Sequence, residues 1–315
     1  MKQNSKKIAI TTGDPYGIGA EVTIKALKKL QLPKENVLLI SNYDVLDYYG
    51  GKDLDYDVVE IPLDAKEVSA GKNTKAGGEF SFQSLRMAAD FAKIGKVSAI
   101  ATAPVSKEAL HLAGHKFNGQ TEVLQHFLAH DNQHAEMLFT ANDFRVLLLT
   151  RHVPLKEIVL DKDVIEQKII DINNILKKDY NVEKPRLALC GFNPHAGEDG
   201  ILGKEEQEIL IPVAQKLQKQ NIDVTLPLPA DTLFIEGANA YLKNKPLPFD
   251  CYLACYHDQG LIPIKTIAKD KTVNTTVGLD IIRTSPCHGT AFDIAGKNIA
   301  DESSMIVAIE EALNH

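Results

Sequence analysis

A chain of 315 residues, 44% hydrophobic and 24% charged, has the composition of an ordinary globular protein and length enough for two domains or one large one. Its 42 acidic and 35 basic residues leave a net charge of -7, which gives a nucleic-acid partner no electrostatic support but permits a locally basic pocket. No apolar run is long enough to span a membrane, and MKQNSKKIAITTGDP reaches Gly13-Asp14-Pro15 too early for a secretory leader, so the chain reads as cytoplasmic with no membrane contact.

In chain order, short apolar runs predict strands buried on both faces at 6–14 (KKIAITTGD), 36–42 (NVLLISN), 98–105 (SAIATAPV), 144–152 (FRVLLLTRH), 185–193 (PRLALCGFN) and 250–258 (DCYLACYHD). Apolar positions 22, 24, 26, 27 and 30 predict a helix over 20–30, and a clearer amphipathic run predicts another over 80–94. Strands alternating with helices define an α/β fold with a largely parallel core sheet. Internal repeats, flexible linkers and low-complexity tracts are absent from the sequence. Cys190, Cys251, Cys255 and Cys287 form no CxxC pair and lie in or near apolar runs, as buried thiols do.

Polar residues gather where the strand-like runs end: Gly13-Asp14, Ser106-Lys107, Arg151-His152, Asn193-Pro194-His195 and His257-Asp258. Ligands of open α/β sheets bind beyond the carboxyl ends of strands, so one site is expected to collect all five. Polar loops alone do not account for a histidine at three of them. His152, His195 and His257 are too far apart in sequence for a local zinc motif, but three imidazoles from three strand ends can hold a divalent metal and leave positions open for substrate and water. Imidazole ligands suit zinc, cobalt or nickel, while magnesium and manganese usually take oxygen.

A second group, Lys265, Asn274 and Arg283, can clamp a phosphate or carboxylate, or else belongs to a solvated charged surface. GDPYGIGAE (13–21) lacks both the GxGxxG spacing and the Lys-Ser/Thr ending of a P-loop, so a mononucleotide cradle and a structural turn both stand. In NGQTE (118–122), Thr121 is either a hydroxyl donor to a ligand or the N-cap of a helix.

The segments TTGDPYGIGAE, TAPVSK, GQTE, TRHVPL, GFNPHAGEDG, PADTLF, YHDQGLIPIK, VNTTVGL and RTSPCHGTAFDIAGK together resemble the 4-hydroxythreonine-4-phosphate dehydrogenase family of pyridoxal phosphate biosynthesis, in the family's order and over most of the chain. The resemblance implies a two-domain fold like that of isocitrate and isopropylmalate dehydrogenases. Its two α/β lobes would share a central cleft, with the chain crossing between lobes more than once and no lobe boundary legible in the sequence. It further implies a homodimer, NAD or NADP as cofactor, and a divalent metal (zinc, cobalt or magnesium). On that pattern His152, His195 and His257 are the metal ligands, with His257 supplied by the partner subunit, and Gln120, Thr121, Lys265, Asn274 and Arg283 hold the substrate. The cofactor-binding residues are not assigned.

The chain departs from the family's Gly-His-Thr-Glu motif at Gln120, which donates hydrogen bonds but does not titrate near neutral pH. Substrate choice is therefore less fixed than reaction type. The implied reaction oxidises 4-(phosphooxy)-L-threonine to 2-amino-3-oxo-4-(phosphooxy)butanoate, which decarboxylates to 3-amino-2-oxopropyl phosphate. D-threonate or D-erythronate 4-phosphate is the alternative substrate, and a non-catalytic phosphometabolite-binding protein a more distant one. Lys265 or Asp258 would take the proton. In YHDQGLIPIK, Asp258 is expected to orient the metal ligand, and Gly260 to turn the backbone so that Lys265 returns to the same pocket.

Overall fold

The computed structural model describes residues 7–63, 70–130, 133–268 and 271–315. Its strands are β1 (Ile8–Thr11), β2 (Val37–Ser41), β3 (Asp57–Glu60), β4 (Ala99–Thr102), β5 (Glu136–Ala141), β6 (Phe144–Leu148), β7 (Arg186–Leu189), β8 (Asp223–Val224), β9 (Cys251–Ala254), β10 (Val273–Val277) and β11 (Ile282–Pro286). The α-helices are α1 (Gly19–Leu30), α2 (Tyr43–Tyr48), α3 (Lys75–Lys93), α4 (Lys107–Leu112), α5 (Gln120–Leu128), α6 (Lys162–Asp179), α7 (Ile211–Lys219), α8 (Ala230–Leu242), α9 (His257–Ala268) and α10 (Ser303–Asn314). They fall into two compact units: residues 1–135 with 273–315, and residues 136–272.

In the first unit the strands lie in the order β3-β2-β1-β4-β11-β10, all parallel except the last pair. Alternate residues of its central strands enter two different cores. Ala9, Leu38 and Ile40 pack with Phe80, Leu85 and Ala88 of α3. Ile8, Ile10 and Leu39 pack with Val22 and Leu27 of α1 and Met305 and Ile309 of α10. A sheet covered on both faces explains why these strands read as continuous apolar runs. Each fully buried aliphatic side chain contributes roughly 1.5–3 kcal/mol to the fold.

In the second unit the order is β5-β6-β9-β7-β8, with only β5 and β6 antiparallel. The α/β class and largely parallel sheet expected from the sequence are therefore present. Each of the six predicted strands exists in shorter form, the polar residues at its end lying in the following loop or, as with His257 and Asp258, opening the next helix; Lys6, the first residue of one prediction, lies outside the described residues. The helix expected over 80–94 starts earlier, at Lys75, because the Thr74 hydroxyl caps it by accepting from the Gly77 amide at 2.9 Å. Cys190, Cys251 and Cys255 are buried and Cys287 half-buried, and among the described residues none of the four forms a disulfide.

One local expectation fails. Gly260 does not turn the backbone: it lies inside α9, which begins at His257 immediately after β9. A Cβ at Gly260 would come within 2.8 Å of Val146 and 2.9 Å of Ala254, so this glycine lets the helix lie close against β6 and β9.

Candidate active site

In the first unit, β10 and β11 form an antiparallel ladder that pairs Asn274 with Ser285 and Thr276 with Arg283. Directly opposed residues project from the same face, so Asn274 and Arg283 share one side of the sheet. Arg283 is 3% exposed. Its Nε donates to Thr102 Oγ1 at 2.8 Å and its Nη1 to Thr276 Oγ1 at 3.3 Å. Burial pushes its pKa down to about 10, still far above neutrality, so the guanidinium keeps its charge. Among the described residues its hydrogen bonds go only to neutral hydroxyls, while Glu122 acts on it through its charge without forming an ion pair.

Thr121 adjoins this cluster, its hydroxyl 3.4 Å from that of Thr276. It is the second residue of α5 and not its N-cap; Gly119 holds that position without a side-chain bond. Gln120 opens the same helix and donates from Nε2 to the Ala103 carbonyl at 3.2 Å. Gln120, Thr121, Asn274 and Arg283 thus belong to one unit, while Lys265 lies on α9 of the other. Thr102 and Thr276, which orient Arg283, escaped the sequence reading. The alternation of 274 with 276 was the signal for Thr276; Thr102 ends β4, and no local pattern links it to Arg283.

The GDPYGIGAE segment forms a tight turn that runs into α1. Residues 13–21 are all buried, and Gly13 takes φ +69° where a Cβ would press to 2.2 Å from the Pro104 carbonyl. Asp14 Oδ1 accepts from the Tyr16 amide at 3.0 Å, and Oδ2 is buried without a partner. Burial raises the Asp14 pKa to about 6, with the Tyr16 hydrogen bond opposing.

In the second unit β6, β9 and β7 are adjacent and parallel, and each carboxyl end leads to one of the three histidines. The His152 and His257 rings lie 5.6 Å apart, centroid to centroid. Both line a cavity of about 400 Å³ with Arg151, Asp258, Tyr256 and an apolar wall from Val153 to Leu155. His257 Nδ1 bonds Asp258 Oδ1 at 2.7 Å, which fixes the ring and leaves Nε2 free of that contact.

His195 follows β7 in a tight turn where His195, Ala196, Gly197, Glu198 and Asp199 all have positive φ. Left-handed backbone costs roughly 1–2 kcal/mol per non-glycine residue. Glu206 holds the turn's entrance: its buried carboxylate accepts from the Phe192 and Asn193 amides at 2.7 Å each and from Asn193 Nδ2 at 3.0 Å. His195 is not among the residues lining the cavity. Lys265 is eight residues beyond His257, about 12 Å along a helix axis, and does not line it either.

Two neighbouring imidazoles, one of them buttressed by a carboxylate, suit a divalent metal as donors. Among the described residues of one chain, no group of three or more His, Cys, Asp and Glu side chains is placed to hold one.

The two mostly parallel α/β units have the isocitrate dehydrogenase-like architecture. An isocitrate dehydrogenase from Methylococcus capsulatus has this fold, with a TM-score of 0.50 at 15% identity over 98% of this chain and 85% of that one. The chain belongs to the pyridoxal phosphate biosynthetic protein PdxA family, whose profile matches residues 12–312. It is 41% identical to the 4-hydroxythreonine-4-phosphate dehydrogenase of Thermosynechococcus vestitus, covering 96% of this chain and 94% of that one. It is 37% identical to a protein of Oceanobacillus iheyensis named as a candidate D-threonate 4-phosphate dehydrogenase, covering 98% of both. The crystal structure of 4-hydroxythreonine-4-phosphate dehydrogenase from Klebsiella pneumoniae matches with a TM-score of 0.85 at 34% identity, over 99% of this chain and 100% of that one.

Proposed function

We propose that the chain oxidises 4-(phosphooxy)-L-threonine at its C3 hydroxyl with NAD or NADP, making 2-amino-3-oxo-4-(phosphooxy)butanoate, which loses carbon dioxide to give 3-amino-2-oxopropyl phosphate. The observation that carries this reading is Arg283, a buried guanidinium bonded only to hydroxyls among the described residues. It suits a substrate bearing a phosphate and a carboxylate, and its fixed fork binds either in bidentate fashion. Thr121 and Asn274 add neutral donors on the same side, and the family resemblance assigns Lys265 to the substrate as well.

In the oxidation, hydride leaves C3 for the nicotinamide while the hydroxyl proton passes to a base, Asp258 or Lys265. The new ketone is β to the carboxylate, so the C1–C2 bond breaks as carbon dioxide leaves and C2 takes up a proton. A divalent metal, zinc, cobalt or magnesium, held by His152, His195 and His257 would supply Lewis-acid polarisation of the C3 oxygen. Asp258 keeps the His257 ring oriented for that role. The family resemblance assigns His257 of this site to the partner subunit of a homodimer, an arrangement distinct from the approach of His152 to His257 within one chain.

The test is a panel of phosphorylated four-carbon acids with NAD and NADP, followed at the reduced-nicotinamide absorbance. Turnover of 4-(phosphooxy)-L-threonine with release of one carbon dioxide per hydride supports the proposal, and absence of turnover on every acid removes it. Gln120 favours a second reading, a dehydrogenase for D-threonate or D-erythronate 4-phosphate. Its amide is tied to the Ala103 carbonyl and carries no charge, unlike the histidine of the family motif. Faster turnover of a non-aminated acid in the same panel selects that reading.

A further inference from the structure

Arg151 directly precedes His152 on the segment leaving β6 and lines the same cavity as His152, His257 and Asp258. Among the described residues nothing forms a side-chain hydrogen bond or ion pair with it. Asp258, the one carboxylate lining that cavity, is already engaged by His257 at 2.7 Å. Glu136, at the start of β5, is likewise committed: it bonds Lys168 of α6 at 2.5 Å in a pair whose side chains are 5% and 11% exposed. Burial chiefly, and the charge of Arg151 in addition, push the Lys168 pKa down while Glu136 opposes them. Arg151 therefore lies within electrostatic range of Lys168 and, among the described residues, forms no ion pair of its own. The cavity is open to solvent, with Val153 44% and Leu155 66% exposed, so an incoming anion can reach the guanidinium.

We infer that Arg151 binds an oxyanion of the substrate, its carboxylate or its phosphate, within the histidine cavity. The inference rests on the dehydrogenase reading and deepens it. A phosphorylated hydroxy acid carries anionic groups of the kind a guanidinium binds, and among the described residues Arg151 makes no ion pair. A planar guanidinium beside two imidazoles fixes the orientation of a carboxylate or phosphate as well as its charge.

The experiment uses full-length Arg151→Gln and Arg151→Lys with two readouts. Calorimetric titration with D-erythronate 4-phosphate and with 4-(phosphooxy)-L-threonine measures binding without turnover. Steady-state assays on whichever acid the wild type oxidises give KM for that acid and for the nicotinamide cofactor. The expected result is about ten-fold weaker binding of the phosphorylated acid by Arg151→Gln, partial recovery in Arg151→Lys, and an unchanged cofactor KM. Binding within two-fold of wild type would overturn the inference, as would an effect confined to the cofactor. A fall in sedimentation mass with unaltered affinity would also overturn it, by assigning the guanidinium to a subunit contact. Wild-type inactivity on every acid would count against the dehydrogenase reading alone, since calorimetry reads Arg151 independently.

Discussion

Asp14→Asn isolates the cost of a buried charge in the GDPYGIGAE turn. The carboxyl is fully buried, its Oδ2 has no partner among the described residues, and its pKa rises from 3.8 to about 6. A raised carboxyl pKa means that the folded state holds the proton after the unfolded chain has released it. Stability from this group is therefore full below about pH 4, falls as pH rises towards 6, and stays at the lower level above. Two pH units correspond to about 3 kcal/mol. Asparagine keeps the acceptor for the Tyr16 amide and does not titrate. Urea unfolding of both proteins between pH 4 and 8 should show near-equal stability at the acid end and a variant more stable by up to about 3 kcal/mol at neutral pH. All other groups titrate alike in the two proteins, so the difference belongs to residue 14. A difference that stays flat across this range would refute the assignment.

Arg283→Met should leave unfolding free energy equal or higher, because it removes an unpaired buried charge, yet weaken substrate binding by about a hundred-fold; parallel denaturation and calorimetry check both halves. His257→Ala should abolish turnover with an unchanged circular-dichroism spectrum, whereas Asp258→Asn, which spares the ring but loosens its orientation, should lower metal affinity by about 10- to 100-fold in a chelator competition. Gly260→Ala should destabilise the second unit by about 1–3 kcal/mol, because its methyl group would press on Val146 and Ala254; hydrogen exchange at β6 and β9 reads this directly.

The sheet was legible in the sequence where strands are covered on both faces, as Ile8–Thr11, Val37–Ser41 and Cys251–Ala254 are. The strand at Asp57–Glu60 escaped because its residues are exposed or half-buried, so no apolar run marks it. Those at Val273–Val277 and Ile282–Pro286 escaped because Asn274, the threonines, Arg283 and Ser285 occupy ladder positions that are apolar in most buried strands. Polar ladder residues of this kind surround the arginine of the candidate site, so the same side chains that disguise the strands are chemically informative. The neighbourhood of His152 and His257 was legible as two strand ends. Their 5.6 Å separation depended on β6 and β9 being adjacent, which no local pattern encodes. The turn expected at Gly260 misread a close-packing glycine as a flexible one, since both uses leave the same residue in the sequence.

The most direct test of the whole account is the initial rate of nicotinamide reduction on 4-(phosphooxy)-L-threonine by chelator-treated protein, before and after divalent metal is restored. The account predicts negligible rate without metal, recovery on adding it, and no recovery in His257→Ala. An undiminished rate in the chelated protein, or in that variant, would contradict it.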